Sequence, residues 1–472
     1  MDLAARRQEF PALASREGRP RLAYLDSAAT TLAPRAVIDA VTTAMTTMGN
    51  PGRGVYAMAQ AASDAIADAR EIVAAALRGW RDTRWASPTS STGTSTGTST
   101  GTSTRTITSA MDIVFTSGTT ASTNLVADTW GAQHVGQGDV VIASEAEHHS
   151  NLLPWQRLCE RAGAQLVLAR VDDRGRFDLD AFRALLATHG ERTKLVAIAH
   201  VSNVLGTIAP IADIAHAAHA VGAKVFVDGA QAIAHLDVDV TELGCDFYAF
   251  SGHKVYGVPG AGVLWAAHAL LETMPPWQLG GGMVSIVGGM VSSVGAMVSS
   301  AGDMVSTVEP ASSTWREAPA RFEAGTPNTP AIVGLATALV WAREIATTAR
   351  TSAMTQATAS AMPIGTRSIR ADEADVHAAL CETLRGLGAR ILGEPEVGVV
   401  SFAWDYHPHD IATIADREGV ALRSGHHCAQ LVHRRFGIDA STRASVGCYS
   451  GLDDVEQLAR ALVKVREVLG PR

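Results

Sequence analysis

The stretch Asp246-Phe247-Tyr248-Ala249-Phe250-Ser251-Gly252-His253-Lys254-Val255-Tyr256-Gly257 carries the first decision about this chain. Its first half is an apolar, aromatic run of the kind that forms a buried strand. Its second half puts a hydroxyl, a glycine, an imidazole and an amine where that strand breaks into a loop, a grouping that suits an anionic ligand. Lysine is scarce, with four against 35 arginines. Lys194 and Lys224 precede apolar runs, at strand entrances, and Lys464 lies in a C-terminal amphipathic stretch, so all three read as solvated. Lys254 alone sits at a strand exit among polar groups. A nucleophilic lysine needs a lowered pKa, which partial burial and a nearby cation supply, and Lys254 is the candidate.

Working outward, strands alternate with helices. Strands are expected over 113–116, 139–144, 165–169, 195–200, 225–227 and 247–250, and helices over 120–130, 152–162, 179–188 and 211–221. Such alternation with short connections implies an α/β fold, its mostly parallel sheet covered by helices. Ligands of such sheets bind beyond the carboxyl ends of the strands. A polar arm over 1–20 precedes a large domain over 21–329. A smaller C-terminal α/β domain over 330–472 begins with a helix at 332–345, continues through a strand at 397–403 and closes with a helix at 452–469.

Three tracts break the pattern. Residues 86–109 contain the unit Thr-Gly-Thr-Ser three times in tandem and have almost nothing apolar to bury, so a disordered surface loop is expected. Residues 281–308 repeat a seven-residue unit opening with Gly. Its Gly, Ser and β-branched content argues for a duplicated loop against a coiled coil. Residues 347–366 are a third soft stretch, rich in Ala, Thr and Ser.

Composition narrows the function classes. At 472 residues and 47% hydrophobic content the chain can bury a sizeable core. A net charge of −8 without a basic cluster argues against nucleic acid or an anionic membrane as the main partner. No apolar run is expected to reach the roughly 18 residues of a membrane span. The five cysteines are scattered and form no CxxC pair, and no apolar run follows the N-terminal arginines. Both features predict a reducing, cytoplasmic setting.

The other strand exits also carry chemistry. Ser117-Gly118-Thr119-Thr120 opens a helix, and free N–H groups, the helix dipole and hydroxyls there make either a phosphate site or an ordinary cap. Glu147-His148-His149 offers an imidazole that stacks on a flat ring, carries a proton or is merely solvated. Asp228, three residues before Gln231, caps a turn or keeps a pyridine nitrogen protonated. Asn203 is a turn residue or bonds a cofactor oxygen or a substrate carboxylate. Phosphate donors, a ring partner, a stacking imidazole and one amine are together the requirements of pyridoxal phosphate. Near the C-terminus, His426, His427 and Cys428 are adjacent in sequence. Neighbours in extended chain face opposite sides and chelate one ion poorly, so no metal is expected.

These segments resemble the class V aminotransferase family and, within it, the SUF-type (group II) cysteine desulfurases and selenocysteine lyases. The resemblance rests on residues 115–120, 147–151, 200–206, 227–231, 251–254, 321–329, 423–429 and 443–445. It implies a pyridoxal-phosphate fold-type I homodimer with Lys254 as the Schiff-base lysine. Thr119, Ser251 and His253 would hold the phosphate, with Thr326 from the other subunit. Asp228 would pair with the ring nitrogen, Gln231 with the ring hydroxyl, and His148 would stack, with Asn203 nearby. Arg443 and Arg423 would bind the carboxylate of L-cysteine. Cys428 would attack the substrate sulfur as a thiolate favoured by the adjacent histidines and Arg423, leaving a persulfide for an acceptor protein and L-alanine. Iron–sulfur assembly or another sulfur product is the implied destination. Gly52-Arg53-Gly54-Val55-Tyr56 lacks two histidines usual in the family, and after Arg443-Ala444-Ser445 comes Val446-Gly447-Cys448-Tyr449-Ser450, where an aromatic-Asn-Thr ending is usual. These departures keep open another class V reaction (selenocysteine lyase, C–S lyase or epimerase) or a non-catalytic paralogue.

Overall fold

The computed structural model describes residues 3–15, 18, 20–52, 54–79, 108–286, 314–353 and 371–470. The tracts at 86–107 and 287–308, most of 347–366, and Arg53 lie outside the described residues.

The centre is a seven-stranded sheet in the order Ile113–Thr116, Gly262–Ala266, Phe247–Ser251, Lys224–Asp228, Thr193–Ala199, Val140–Ser144, Gln165–Ala169. Gly262–Ala266 runs antiparallel to both neighbours, and every other pairing is parallel. Six strands therefore end on one side, and the polar exits collect there. The strands Val140–Ser144, Phe247–Ser251 and Gly262–Ala266 are buried along their whole length, the signature of a sheet covered on both faces. One face packs under the helices Arg35–Thr47, Ala57–Ala76 and Ile211–Ala220, and the other under Leu153–Ala162. The helix expected over 120–130 forms as Thr119–Val126 and then widens into a π turn, Ala127–Gly131.

A second sheet is antiparallel, in the order Arg390–Ile391, Val399–Ala403, Ser441–Ser445, Arg423–Gly425. The helices Ala371–Gly386, Pro408–Arg417 and Leu452–Leu469 bury their apolar faces against it.

Three segments sit differently from the sequence reading. Ala23 and Leu25 are fully buried in the C-terminal core, and Ala23–Tyr24 pairs in parallel with Val420–Ala421. The helix Thr329–Ala353, expected to begin the small domain, instead packs into the large core with Ile332, Leu335 and Ala338 buried against the helix Arg35–Thr47. It also runs seven residues into the tract read as soft. By length and composition this helix alone, among the described residues, could cross a membrane, although no such apolar run was expected; its apolar face is in the core. In the repeat, Val284–Ile286 forms a strand paired with Thr314–Trp315, where a loop is expected.

Candidate active site

Lys254 ends a short 3-10 turn, Gly252–Lys254, directly after the strand Phe247–Ser251. The residue as a whole is half-buried, and burial of its amine pushes the pKa below the usual lysine value. Asp228 opposes that shift, while Arg443 and Arg423 add to it, and Cys428 also acts on the amine. Residues distant in sequence thus converge on one nitrogen. The other lysines pair at the surface, Lys194 with Glu191 O, Lys224 with Asp246 and Lys464 with Glu467.

A segment unrecognised in the sequence clamps the Lys254 turn. The Thr31 N–H and hydroxyl donate to the His253 carbonyl at 2.8 and 3.0 Å. The Tyr256 N–H donates back to Thr31 Oγ1 at 2.6 Å. Tyr256 itself has φ 67°, a left-handed conformation, and its hydroxyl accepts from the Cys448 N–H at 3.0 Å. Polar residues after the short strand Ala23–Tyr24 were the signal, the same kind as at the other exits.

Asp228 is buried at the end of the strand Lys224–Asp228, accepting from the Ala230 N–H at 2.9 Å. Burial raises its pKa, and Lys254 counters. His148 caps the turn His149–Asn151, its Nδ1 accepting from the Ser150 N–H at 3.1 Å. That bond assigns the ring proton to Nε2. Burial, with Lys254 nearby, pushes its pKa down to about 3, so the ring is neutral. Gln231 is buried and donates Nε2–H to the Ala28 carbonyl at 2.8 Å.

At the helix Thr119–Val126 the N-cap is Gly118, with φ 155°. The Thr119 N–H donates to Ser251 Oγ at 2.9 Å, and the two hydroxyls lie 2.8 Å apart. A Cβ on Gly262 would lie 2.4 Å from Gly118 Cα, so two glycines let the strand and the helix entry touch. Thr120 is exposed one residue further along this helix. His253 Nδ1 is 3.2 Å from Thr30 Oγ1. Thr326 is exposed on the loop before the helix Thr329–Ala353.

Arg443 is 2% exposed in the strand Ser441–Ser445. Its Nη1 donates to the Asn203 carbonyl at 3.0 Å and its Nη2 to Asp26 at 3.1 Å, while its buried Nε has no partner among the described residues. The more exposed Arg423 approaches the other Asp26 oxygen at 3.8 Å. Asp26, with no sequence role assigned, is therefore the carboxylate between the two arginines. Burial raises its pKa and Arg443 opposes this.

Cys428 is exposed, whereas the other four cysteines are buried. His427 and Cys428 have φ 51° and 57°, two successive left-handed residues. The help expected from the adjacent histidines is corrected for His427. Its ring is buried, its pKa is pushed down to about 2 by burial, and its Nε2 bonds Ser441 Oγ at 3.0 Å.

Glu147, quoted only as part of a motif, is a buried carboxyl behind His148. It accepts from the Ala199 N–H at 3.0 Å and Asn151 Nδ2 at 2.6 Å, and burial pushes its pKa up to about 8.

This donor set fits pyridoxal phosphate. Two hydroxyls and a helix N-terminus meet at a glycine-lined approach, at the end of the strand that leads to Lys254, whose amine feels the buried carboxyl of Asp228.

A family model described as aminotransferase class-V matches residues 23–92, 105–294 and 291–458. Cysteine desulfurases from Klebsiella pneumoniae subsp. pneumoniae and Salmonella typhimurium are each 36% identical to this chain, over 468 and 469 residues, covering 98% of both chains in each pairing. Among solved structures, the cysteine desulfurase CsdA from Escherichia coli superposes with a TM-score of 0.75 at 31% identity, covering 99% of each chain. The apo cysteine desulfurase from Thermococcus onnurineus gives 0.74 at 31% identity over 95% of each chain. Lys254, Asp228 and the glycine-lined helix entry thus sit in a chain of fold type I that belongs to the class V aminotransferase family, whose members depend on pyridoxal phosphate.

Proposed function

We propose that this chain is a cysteine desulfurase that takes sulfur from L-cysteine onto Cys428 and releases L-alanine. The observation that carries this is the convergence on Lys254 of Asp228, Arg443, Arg423 and the one exposed thiol of the chain.

The bound cofactor supplies an electron sink for the bond broken at the substrate Cα. Lys254 would hold the cofactor, and its free amine would carry the substrate Cα proton at Nζ, a state its lowered pKa favours. Asp228 would pair with the ring nitrogen, Gln231 with the ring hydroxyl, and neutral His148 would stack on the ring. Thr119, Thr120, Ser251 and His253 would hold the phosphate, and Thr326 would close the phosphate site of a second copy in a homodimer. Arg443 and Arg423 orient the substrate carboxylate.

Cys428 Sγ, as thiolate, attacks the substrate sulfur. The new S–S bond forms as the C–S bond breaks, its electron pair going to the substrate carbon, which then takes a proton. In sum, L-cysteine and a thiol become L-alanine and a persulfide, with no external oxidant. An acceptor protein then takes the outer sulfur. Within the family we place the chain in the SUF-type group, in the cytoplasm, supplying sulfur for iron–sulfur clusters or a related product; the segment around Cys428 supports the grouping.

The test is alanine release from L-cysteine, with persulfide on Cys428 detected by mass. Cys428→Ala is expected to lose at least about a hundredfold in rate while keeping the cofactor absorbance. Unchanged desulfuration by that variant rejects the mechanism, and turnover of selenocysteine alone rejects the substrate.

A further inference from the structure

We infer that His433 is a positioning residue for the nucleophile, bracketing Cys428 by a contact one residue after it and, through Ser441, a contact one residue before it. The inference rests on the reading of Cys428 as the nucleophile and adds what holds it in place.

His433 and Ser441 lie outside the segments that carry the family resemblance. His433 sits in the last turn of the helix Gln430–Arg435, which begins directly after the Cys428 loop, and Ser441 opens the strand that carries Arg443. Both are buried, as is His427. His433 Nδ1 lies 2.9 Å from the Ala429 carbonyl. Its Nε2 lies 3.0 Å from Ser441 Oγ, which is also 3.0 Å from His427 Nε2.

The protons along this chain have one arrangement. The Ala429 carbonyl only accepts, so His433 carries its proton at Nδ1. Burial lowers the His433 pKa, so the ring is neutral and its Nε2 accepts. Ser441 then gives its one O–H to His433, and its oxygen accepts the Nε2–H of His427. His427 is thereby fixed in one tautomer, with a bare Nδ1 that is buried without a partner among the described residues. Arg443 disfavours a second proton on that ring.

The loop needs such a bracket. His427 and Cys428 both occupy left-handed backbone conformations, which residues other than glycine keep only where surroundings fix them. On the cofactor side, Asn203 Nδ2–H and the His149 N–H donate to the His427 and Cys428 carbonyls, each at 2.7 Å. Those bonds hold the carbonyls and leave the His427 ring to be held by something else. The relay holds the ring, and because Ser441 pairs with Gly425 in the C-terminal sheet it ties the loop to a fixed strand.

The test uses the holoenzyme with Ser441→Ala, which removes the shared hydroxyl and nothing larger. Hydrogen–deuterium exchange across 425–429 is expected to rise several-fold. In the same variant kcat for L-cysteine is expected to fall at least about tenfold, with KM within about twofold and the cofactor absorbance kept, because Arg443 retains its bonds to Asn203 and Asp26. His433→Leu, which removes both contacts, should lose at least as much. His433→Gln, whose amide carbonyl can take the Ser441 hydroxyl, should recover most of the rate. Unchanged exchange, or exchange that rises without loss of kcat, overturns the proposal. A loss confined to KM or cofactor absorbance overturns it too, and so does an equal loss in His433→Gln and His433→Leu, which would leave His433 a packing role only. Should Ser441→Ala not fold, the two His433 variants are read by the same measures. The exchange arm needs no turnover, so it decides this proposal even if L-cysteine proves not to be the substrate.

Discussion

Asp26 and Glu147 are two carboxyls with opposite tasks. Asp26 sits between Arg443 and Arg423 and offsets one of their two charges, so the pair can receive a substrate carboxylate without holding two unpaired guanidiniums in a partly buried site. Asp26→Asn keeps an acceptor and removes the charge. We expect KM for L-cysteine to rise about tenfold, some 1.4 kcal/mol, with a smaller change in kcat, as initial-rate kinetics will show. Glu147 is neutral at pH 7, since burial lifts its pKa from an ordinary 4.5 to about 8. Its raised folded pKa fixes the sign. Between those values the folded form keeps a proton that the unfolded form has lost, so stability falls as pH rises. The slope from this group is about 1.4 kcal/mol per pH unit between about 4.5 and 8, with no further loss above 8. Melting temperatures across that range should show a shallower decline for Glu147→Gln than for the parent.

At the scale of elements, the decisive contact is between the strand Gly262–Ala266 and the entry of the helix Thr119–Val126. A Cβ on Gly262 would meet Gly118 Cα at 2.4 Å and Gly118 N at 2.7 Å, and backbone cannot yield as a side chain would. Gly262→Ala is expected to push the helix entry away from Ser251 and weaken cofactor binding at least tenfold, measured by absorbance titration, while far-ultraviolet circular dichroism stays unchanged. The turn bearing Lys254 depends on Thr31 from the N-terminal segment. Thr31→Val removes the hydroxyl that donates to His253 O and accepts from the Tyr256 N–H. About 1–3 kcal/mol of local stability is at stake, and faster exchange of the Tyr256 amide is the expected readout.

Across the whole molecule, the N-terminal arm joins the two cores. Phe10 is 1% exposed and packs edge-on against Trp341 and Tyr449, with ring centroids at 5.4 and 4.8 Å, and Tyr256 lies at 6.3 Å. Arg6 donates to the Cys448 carbonyl, and Arg7 reaches Tyr449 O and Asp454. The aromatic cluster thereby connects the arm, the long helix Thr329–Ala353, the C-terminal segment and the residue two places beyond Lys254. Phe10→Ala should cost about 3–5 kcal/mol through lost burial and the cavity left behind. A fall in melting temperature, with activity lost before secondary structure on heating, is the expected outcome.

The alternation of strand and helix was legible because fully buried strands read as continuous apolar runs, and Leu452–Leu469 formed with the expected bounds because its apolar period is regular. Lys254, Asp228, Asn203 and His148 were legible because each lies at a strand exit, and in a parallel sheet all such exits share one edge. The strand Gly262–Ala266 was not, because nothing local marks its antiparallel direction. Asp26, Thr31 and Glu147 acquire meaning only from partners 52 to 417 positions away, as in Glu147 with Ala199 and Asp26 with Arg443. The same holds for Thr329–Ala353, whose apolar face fits either core and whose choice is made by the helix Arg35–Thr47. Sequence by itself determined the fold class and the inventory of reactive groups, because period and residue chemistry are local properties. Tertiary structure alone decided which carboxyl faces which arginine, that His427 is neutral, and what holds Cys428, because burial and long-range hydrogen bonds set those.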